Sequence, residues 1–424
     1  MKVFKFGGAS VKDENAVRNV SRILQLYKGE KIIVIFSAMG KITNALEEVA
    51  QFFWSKNSVA FLEKIQEIKD FHYLLIDELF SSNTDKIKAI LQTEFLKLVN
   101  SLDKTHRKSY DFEYAQIVSL GEILSTKIIA EFLKLEGLNS NWADARKLIR
   151  TNHNYREAEI DWKRTENLIQ ENFLPDFQSY DIQITQGFIG HTSDKFSTTL
   201  GREGSDFTAG IFAFCTNAES VTIWKDVPGM LNADPKFFKN TIKLDQISFR
   251  EAIELSYYGA SVIHPKTIKP LQNKKIPLYV KSFINPEAKG TVIQSASEFD
   301  HLIPSFIFKF KQVLISFTPK DFSFIVEENL SDIFNRLSRA NAKINLMQNS
   351  ALSFSVLLDE EKIDLPQLLE LFENQYRVKF NQNLELVTIR HYDQKTLDLV
   401  TENKEVFLEQ KTREMARFVL KPLS

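Results

Sequence analysis

The sequence holds a single cysteine, Cys215, and nowhere does it hold the roughly 18 consecutive apolar residues of a membrane-spanning helix. One cysteine excludes a disulfide framework within the chain and a cysteine-rich zinc site, and it is typical of a reducing compartment. The amino terminus MKVFKFGGAS reaches its glycines too early to contain the apolar core of a signal peptide. The sequence therefore predicts a cytoplasmic protein that no membrane anchors.

Neither sign of charge is in excess, because 54 Lys and Arg residues face 55 Asp and Glu residues for a net charge of -1. This balance excludes a global basic surface for nucleic acid or for an anionic membrane. The phosphate-binding patterns G-x-x-x-x-G-K-S/T and G-x-G-x-x-G are both absent. What is present is a globular composition, 43% hydrophobic over 424 residues, which is enough for two domains.

The first part of the chain alternates predicted strands and helices. Residues 2–6 predict a short buried strand, and Ile32–Phe36 is a continuous apolar run, typical of a parallel strand covered by helices on both faces. Residues 43–137 are helical in pattern almost throughout. Further strands are predicted at 182–189, 221–224, 276–283 and 290–293, with helices at 206–215 and 248–258. We expect residues 1–300 to form an α/β domain whose mostly parallel sheet is sandwiched between helices.

The pattern changes after a boundary expected between 295 and 310. Residues 311–382 predict one complete βαββαβ copy, which is a small α+β sandwich. Its strands are expected at 313–317, 343–347, 353–358 and 376–380, and its helices at 331–341 and 365–372. A strand at 384–390, a short helix near 397–402 and two strands near 405–409 and 417–421 predict a second, shorter copy over 383–424. The expected second domain covers residues 301–424.

The segment KFGG at 5–8 lies at the end of the first predicted strand. Glycines at 7 and 8 allow backbone N–H groups to approach an anion, and Lys5 can place its charge on a phosphate. A tight turn without a ligand is the alternative interpretation, and for this segment alone it is the more common one.

Two further segments place polar side chains where ligands often bind. SAMGKITN at 37–44 presents Ser37 and Thr43, which can orient a polar substrate or cap a helix. In LGREGSD at 200–206, Arg202 can bind a carboxylate, and Asp206 can orient an ammonium or a metal-bound phosphate. The alternative is that Asp206 caps a helix and Arg202 lies on the surface.

Seven segments occur in order over residues 1–295: KFGGASV, SAMGKITN, GEILST, TQGFIG, TTLGREGSD, WKDVPGMLNADPK and YYGASVIHPKTI. Together they resemble the aspartate kinases of the amino-acid kinase family. The carboxy-terminal βαββαβ pattern resembles the ACT regulatory domains that those enzymes carry. The resemblance thus implies an amino-acid kinase fold followed by an ACT-like region.

The resemblance also implies a reaction and its site. The γ-phosphoryl group of ATP, the co-substrate, would pass to the side-chain carboxylate of L-aspartate, with Mg²⁺ held mainly by the ATP phosphates and no metal site on the protein. Lys5 and Asp206 would be the catalytic residues. The residues implied for the amino acid are Ser37, Thr43, Glu122 and Arg202. The residues implied for ATP are Lys5, Gly7, Gly8, Lys225, Asp226, Leu231, Lys236 and Ser261.

Some of these positions depart from the family pattern. Lys225, Leu231 and Ser261 stand where threonine, tyrosine and lysine are common, and Glu203 stands where glycine is common. The first three keep open a catalytically silent amino-acid sensor with the same fold. A kinase for another acceptor, such as glutamate, acetylglutamate or UMP, is disfavoured by the ACT-like region and by GEILST and HPKTI. The missing G-x-G-x-x-G and the end at residue 424 argue against a fused homoserine dehydrogenase.

The resemblance implies that the reaction is the first step towards lysine, threonine and methionine. For the carboxy-terminal region it implies feedback inhibition by one of these end products, with lysine as the main candidate and threonine as a further one. The expected effector residues are Asn329, Asn345 and Ser350, near the first strand–helix loop at Glu327–Ser331. ACT domains commonly pair between subunits, so a homodimer or larger assembly is expected. A domain that serves dimerisation alone is the alternative.

Overall fold

The computed structural model describes residues 1–104, 109–259, 263–296, 298–300, 303–321 and 323–423. The chain divides into two compact units. The first contains Met1–Met230, Lys243–Ile253 and Val262–Phe299, and the second contains Leu231–Ile242, Glu254–Ser261 and Asp300–Ser424. A search of the described helices for one that is long and apolar enough to span a membrane finds none.

Among the described residues, ten strands and ten α-helices precede the second unit's long carboxy-terminal segment. The strands are β1 (Lys2–Phe6), β2 (Ile32–Phe36), β3 (Ser140–Trp142), β4 (Ile182–Gln186), β5 (Ile189–His191), β6 (Ser197–Thr199), β7 (Ser220–Lys225), β8 (Gln246–Ser248), β9 (Leu278–Ser282) and β10 (Thr291–Gln294). The helices are α1 (Glu14–Gln25), α2 (Ile42–Trp54), α3 (Ser58–Leu79), α4 (Thr84–Lys104), α5 (Tyr110–Val118), α6 (Leu120–Leu135), α7 (Trp162–Asn172), α8 (Gly204–Thr216), α9 (Phe249–Tyr258) and α10 (Pro265–Lys274). The boundary between the units falls inside α9.

Eight of these strands form one sheet in the order β3-β4-β2-β1-β7-β9-β10-β8, in which only the β9–β10 pair is antiparallel among the described strands. The α/β fold with a mostly parallel sheet is thus confirmed. The register pairs Phe6 with both Phe36 and Trp224, and Phe36 with Gln186. The carboxyl ends of β1, β2, β4 and β7 therefore meet at one edge, which is where ligands bind in open parallel sheets.

Aromatic packing holds this edge together. The rings of Phe6 and Trp224 stack at 5.9 Å with 3° between their planes, and Phe6 and Phe36 stack at 5.5 Å. All three side chains are fully buried. Because they lie on the three central strands, they fix the ends of β1, β2 and β7 relative to one another.

The strand predicted at 182–189 ends earlier, at Gln186. Gly187 and Phe188 break it, Phe188 with a positive φ of 68°, and the chain then makes the antiparallel hairpin of β5 and β6. Four elements were not predicted: β3, the β5–β6 hairpin, α7 and β8. The three-residue strands among them are too short to show a period in the sequence.

The second unit contains β11 (Ser305–Pro319), α11 (Glu327–Arg339), β12 (Ile344–Asn349), β13 (Phe354–Asp359), α12 (Leu365–Glu370), β14 (Tyr376–Arg390), α13 (Gln394–Thr401), β15 (Lys404–Lys411) and β16 (Met415–Pro422). Its strands form an antiparallel sheet in the order β12-β13-β11-β14-β16-β15. The strands predicted at 376–380 and 384–390 are one strand, because Asn383 continues it in a left-handed conformation with φ of 56°.

β11 and β14 run through both halves of this sheet, with irregular pairing between Lys309 and Leu314. One half carries α11 and α12 on one face, and the other carries α13. Gln410 donates a hydrogen bond of 2.7 Å to the carbonyl of Met347, which joins β15 to β12 although they lie at opposite ends of the strand order. The sheet therefore folds back on itself, and a third core forms between the helix-free faces from Leu314, Leu346, Leu357, Leu384, Leu386 and Val419.

Gly290, which lies before β10, provides a test of the packing in the first unit. It has a φ of 71°, and a Cβ added there would lie 2.2 Å from the carbonyl oxygen of Val280. Gly29 has a φ of 90°, yet no atom lies within 4 Å of its added Cβ. We expect Gly290→Ala to lower the free energy of unfolding by about 3 kcal/mol or more and Gly29→Ala by about 1 kcal/mol, the cost of the backbone conformation alone. Urea unfolding followed by circular dichroism measures both, and equal losses would show that the Val280 contact relaxes.

Candidate active site

A cleft of about 540 Å³ opens at the edge where the strands of the first unit end. It brings together residues from β1, α2, α5, α6, α8 and the loops between them. The lining residues are Lys5, Ser37, Thr43, Glu47, Tyr114, Glu122, Arg156, Glu157, Phe188, Gly201, Arg202, Glu203, Gly204, Ser205, Asp206 and Lys225. All six residues predicted to be catalytic or to bind the amino acid are therefore in one cleft.

A buried ion pair lies at the centre of the cleft. Lys5 Nζ is 2.6 Å from Asp206 Oδ1, and the two side chains are 11% and 4% exposed. Asp206 lies in the first turn of α8, where the helix dipole favours a negative charge. A Cβ at Gly7 would lie 3.2 Å from Lys5 Nζ, so the glycine leaves room beside the ammonium. The arrangement holds a cation rigidly while leaving it able to contact an anion.

The KFGG and SAMGKITN segments touch each other through their backbones. Gly40 N–H donates a hydrogen bond of 3.0 Å to the carbonyl of Gly8. A Cβ at Gly8 would lie 2.8 Å from the Gly40 carbonyl oxygen and 2.9 Å from that of Ala38. Gly8 is thus required for this close approach, whether or not its N–H also binds a phosphate.

Glu122 lies in the first turn of α6 and is only 2% exposed. Its Oε1 accepts a hydrogen bond of 3.3 Å from Ala38 N–H, and its Oε2 has no hydrogen-bond partner in the described part of the chain. Burial raises the pKa of this carboxyl to about 8. A buried carboxyl with one unsatisfied oxygen facing a cleft is complementary to a cationic group of a ligand.

The turn before α8 supplies two charged residues of opposite sign. Arg202 is exposed in the cleft, and Glu203 follows it in a left-handed conformation with φ of 54°. Glu203, and not Ser205 or Asp206, occupies the position that begins the helix. On the other side of the cleft, Thr43 lies in the first turn of α2, and Ser37 follows β2 with its carbonyl bound to the hydroxyl of Ser125 at 2.8 Å.

The residues predicted for ATP are less closely grouped. Lys225, the last residue of β7, lines the cleft, and exposed Asp226 follows it. Leu231 and Lys236 belong to the second unit. Ser261 lies outside the described residues.

Sequence reasoning missed several lining residues, among them Glu47, Tyr114, Arg156 and Phe188. Glu47 could have been found, because it lies four residues after Thr43 and hence on the same face of α2. The others come from α5 and from loops whose sequences carry no ligand-binding pattern.

The three predicted effector residues in the second unit make separate sets of contacts. Asn329 Oδ1 accepts a hydrogen bond of 3.1 Å from Val326 N–H at the start of α11, so the segment predicted as a loop at Glu327–Ser331 is the first turn of that helix. Ser350 bonds to Ser353 at 2.8 Å. Asn345 hydrogen-bonds to Lys309 Nζ at 2.8 Å and to Asp359. Asp359 is partly buried, yet the hydrogen bonds that it accepts lower its pKa to about 2.

Comparison with known proteins identifies the family of the chain. Residues 1–282 match the model of the amino acid kinase family. Lysine-sensitive aspartokinase 3 of Escherichia coli (strain K12) is 32% identical over 360 residues, which cover 84% of this chain and 78% of that protein. The bifunctional aspartokinase/homoserine dehydrogenase of Buchnera aphidicola (subsp. Acyrthosiphon pisum, strain APS) is 30% identical over 400 residues, which cover 91% of this chain but only 47% of that protein.

Solved structures show the same likeness over the whole chain. The structure of E. coli aspartokinase III with lysine and aspartate, a T-state, superposes with a TM-score of 0.84 at 27% identity and covers 100% of this chain and 96% of its own. The same enzyme with aspartate and ADP, an R-state, gives a TM-score of 0.80 over the same shares. The chain therefore belongs to the amino acid kinase family and, within it, to the aspartokinases. The prediction from the seven sequence segments is thereby confirmed.

The raised pKa of Glu122 makes stability depend on pH. Its ordinary value is 4.5 and its folded value is about 8, so the fold favours the neutral carboxyl. Between these values the wild type should lose stability as pH rises, by up to about 1.4 kcal/mol per pH unit, relative to Glu122→Gln, which cannot ionise. Urea unfolding of the ligand-free proteins at pH 5, 6.5, 8 and 9 measures the difference.

The control for that experiment is Glu63→Gln, which removes an exposed carboxylate from α3. A stability difference between wild type and Glu122→Gln that stays constant from pH 5 to pH 8 would contradict the raised pKa.

Proposed function

We propose that this protein transfers the γ-phosphoryl group of ATP to the side-chain carboxylate of L-aspartate, giving 4-phospho-L-aspartate and ADP. The observation that carries the proposal is that one cleft combines the Lys5–Asp206 pair with the buried Glu122 and with Arg202. A cation beside a glycine turn suits a phosphate. An acidic and a basic side chain in the same cleft suit an amino acid, which carries both charges.

The chemistry needs positioning more than acid–base catalysis. An aspartate side chain has a pKa of about 3.9, so its carboxylate is already a nucleophile at neutral pH and needs no general base. One carboxylate oxygen attacks the γ-phosphorus, and the bond from that phosphorus to the bridging oxygen breaks, so ADP leaves with the electron pair. Lys5 stabilises the charge on the transferred phosphoryl group, and Asp206 holds Lys5 in place.

The amino-acid substrate fits the remaining polar groups. Its ammonium would pair with Glu122 and complete the hydrogen bonds of Oε2, and its α-carboxylate would bind Arg202. Ser37 and Thr43 would orient the reacting carboxylate. The nucleotide would lie toward Gly7, Gly8, Lys225 and Asp226.

Magnesium would accompany the nucleotide. The phosphates themselves would be its main ligands, because Mg²⁺ in nucleotide sites keeps several waters and binds chiefly to phosphate oxygens. When bound, the ion offsets negative charge on the phosphates. Lys5 and Asp206 act on the transferred group from the protein side.

The test is trapping of the acyl phosphate. Purified protein with Mg-ATP, L-aspartate and hydroxylamine should give the hydroxamate only when both substrates are present. Lys5→Ala should lower kcat about 100-fold or more with little change in the KM for aspartate, whereas Arg202→Ala should mainly raise that KM. Lys266→Ala, at an exposed lysine outside the cleft, is the matched control.

Near-normal turnover of Lys5→Ala would refute the role of that lysine. A hydroxamate formed with glutamate and not with aspartate would favour the other-acceptor kinase. Binding of an amino acid without any binding of ATP would favour the silent sensor.

We also propose that L-lysine inhibits the enzyme through the second unit, with threonine as a further candidate, and that two or more chains associate there. The support is that E. coli aspartokinase III, which superposes on the whole chain, has been solved with lysine bound. The single cysteine supports a reducing, cytoplasmic location.

Lysine titrated into the acyl phosphate assay should therefore inhibit at millimolar concentration or below. Asn329→Ala and Ser350→Ala should each raise the half-inhibitory concentration about 10-fold, because each removes a hydrogen-bonding group from the proposed effector site. Gln394→Ala, at an exposed position on α13, is the control. Full activity in 10 mM lysine and in 10 mM threonine would contradict the regulatory proposal, and light scattering measures the assembly.

A further inference from the structure

Arg156 lies in the wall of the cleft, and its backbone is tied to the segment that leads to Arg202. Thr199, fully buried in β6, donates its hydroxyl to the carbonyl of Arg156 at 2.7 Å. Thr199 N–H bonds to the carbonyl of Tyr155 at 2.8 Å, and Ala158 N–H bonds to the carbonyl of Thr199 at 2.9 Å. Thr199 is three residues from Arg202 in the chain, so these bonds tie the segment of Arg156 to the strand that leads to Arg202, and both arginines line the cleft.

The guanidinium of Arg156 rests on a rigid support. Its central carbon lies 4.5 Å from the centroid of the Tyr114 ring, within the range of a cation–π interaction. Tyr114 is 5% exposed, and its hydroxyl donates a hydrogen bond of 2.7 Å to Glu47 Oε1. Burial and the neighbouring Glu47 raise the pKa of Tyr114 well above its ordinary value, so the hydroxyl remains a donor at neutral pH.

This support connects Arg156 to the amino-acid side of the cleft. Glu47 lies on the same face of α2 as Thr43, one helical turn further on. The ring of Tyr155, next to Arg156, packs edge-on against buried Phe112 of α5 at 4.9 Å. The ring under the guanidinium and the residue that precedes Arg156 in the chain are thus both held by helices that also form the cleft.

The guanidinium of Arg156 hydrogen-bonds to Tyr114 and keeps further donors for a ligand. Its ion pair with Asp111 is 4.0 Å long, which is beyond hydrogen-bond distance, and the side chain is 48% exposed. Arginine carries five N–H donors in a planar fork that matches a carboxylate. Lys5, by contrast, is already paired with Asp206 on the phosphate side of the cleft.

We propose that Arg156 is a second guanidinium contact for the α-carboxylate of the amino-acid substrate, and that Tyr114 and Glu47 are its positioning residues. The inference rests on the proposed function. A second guanidinium group in the same cleft would make a negatively charged α-carboxylate a requirement for tight binding, so Arg156 would determine substrate specificity as well as affinity.

Kinetics of Arg156→Gln test the contact. The KM for L-aspartate should rise about 10-fold or more, while kcat and the KM for ATP change less than about 2-fold, because the lost bond is made in the ground state as well as in the transition state. Arg156→Lys should recover only part of the loss, since lysine cannot form two parallel bonds. Arg164→Gln, at an exposed arginine on α7 outside the cleft, is the matched control.

An analogue separates charge recognition from a change in shape. L-aspartate α-amide lacks the α-carboxylate charge, so its competitive inhibition constant should change less than about 3-fold in Arg156→Gln. Equal losses for aspartate and for the amide would overturn the proposal, as would an unchanged KM for aspartate.

Substitutions of Tyr114 test the proposed positioning of Arg156. Tyr114→Leu, which removes the ring, should raise the KM for aspartate nearly as much as Arg156→Gln, and Tyr114→Phe, which keeps the ring, should raise it less than about 3-fold. Circular dichroism melting of each variant shows whether it folds. If the wild type forms no acyl phosphate from aspartate, the proposed function fails. If the wild type forms it and Arg156→Gln has the same KM for aspartate as the wild type, only this inference fails.

Discussion

The ion pair between Lys5 and Asp206 joins the central strand β1 to the amino terminus of α8, and the rest of the site is arranged around it. Two opposite charges this deeply buried are stable only together, because each alone would face a large desolvation cost. The pair therefore fixes the helix against the strand end. It also leaves a cation beside the glycine turn, where the neighbouring backbone comes within hydrogen-bond distance of the SAMGKITN segment.

Much of the candidate site could be predicted from the sequence, because parallel strands align their carboxyl ends. Lys5, Ser37 and Lys225 each lie at or just after the end of a predicted strand, so the sheet alone brings them together. Glu122 is different: its sequence position suggests a solvated helix residue, and only the tertiary packing of α6 buries it to 2% exposure. Arg156 had no signal, because its place depends on pairing between an irregular loop and the three-residue strand β6.

In the second unit, sequence periodicity predicts the strands and helices but not which strands are continuous or which strands pair. Most strands and helices of this unit are close to their expected bounds, but β11 begins at Ser305 instead of 313 and α11 at Glu327 instead of 331. The sequence also does not show that residues 376–390 form one strand. It also does not show that Ser305–Lys309 pairs with the second copy, since that pairing is set by contacts more than seventy residues apart in the chain. Long-range strand order depends on which apolar faces can be buried together. In this unit the helix-free faces are buried against each other around the leucine-rich core.

The sharing of β11 and β14 has a mechanical consequence for this unit. Each of the two strands is fifteen residues long and contributes one end to each half. A ligand that slid or twisted one end would have to strain the backbone ladder or carry the other end with it, because ladder hydrogen bonds resist sliding far more than side-chain contacts do. The two halves are thus parts of one sheet, and a displacement at one end of β11 or β14 would be carried into the other half through the covalent chain.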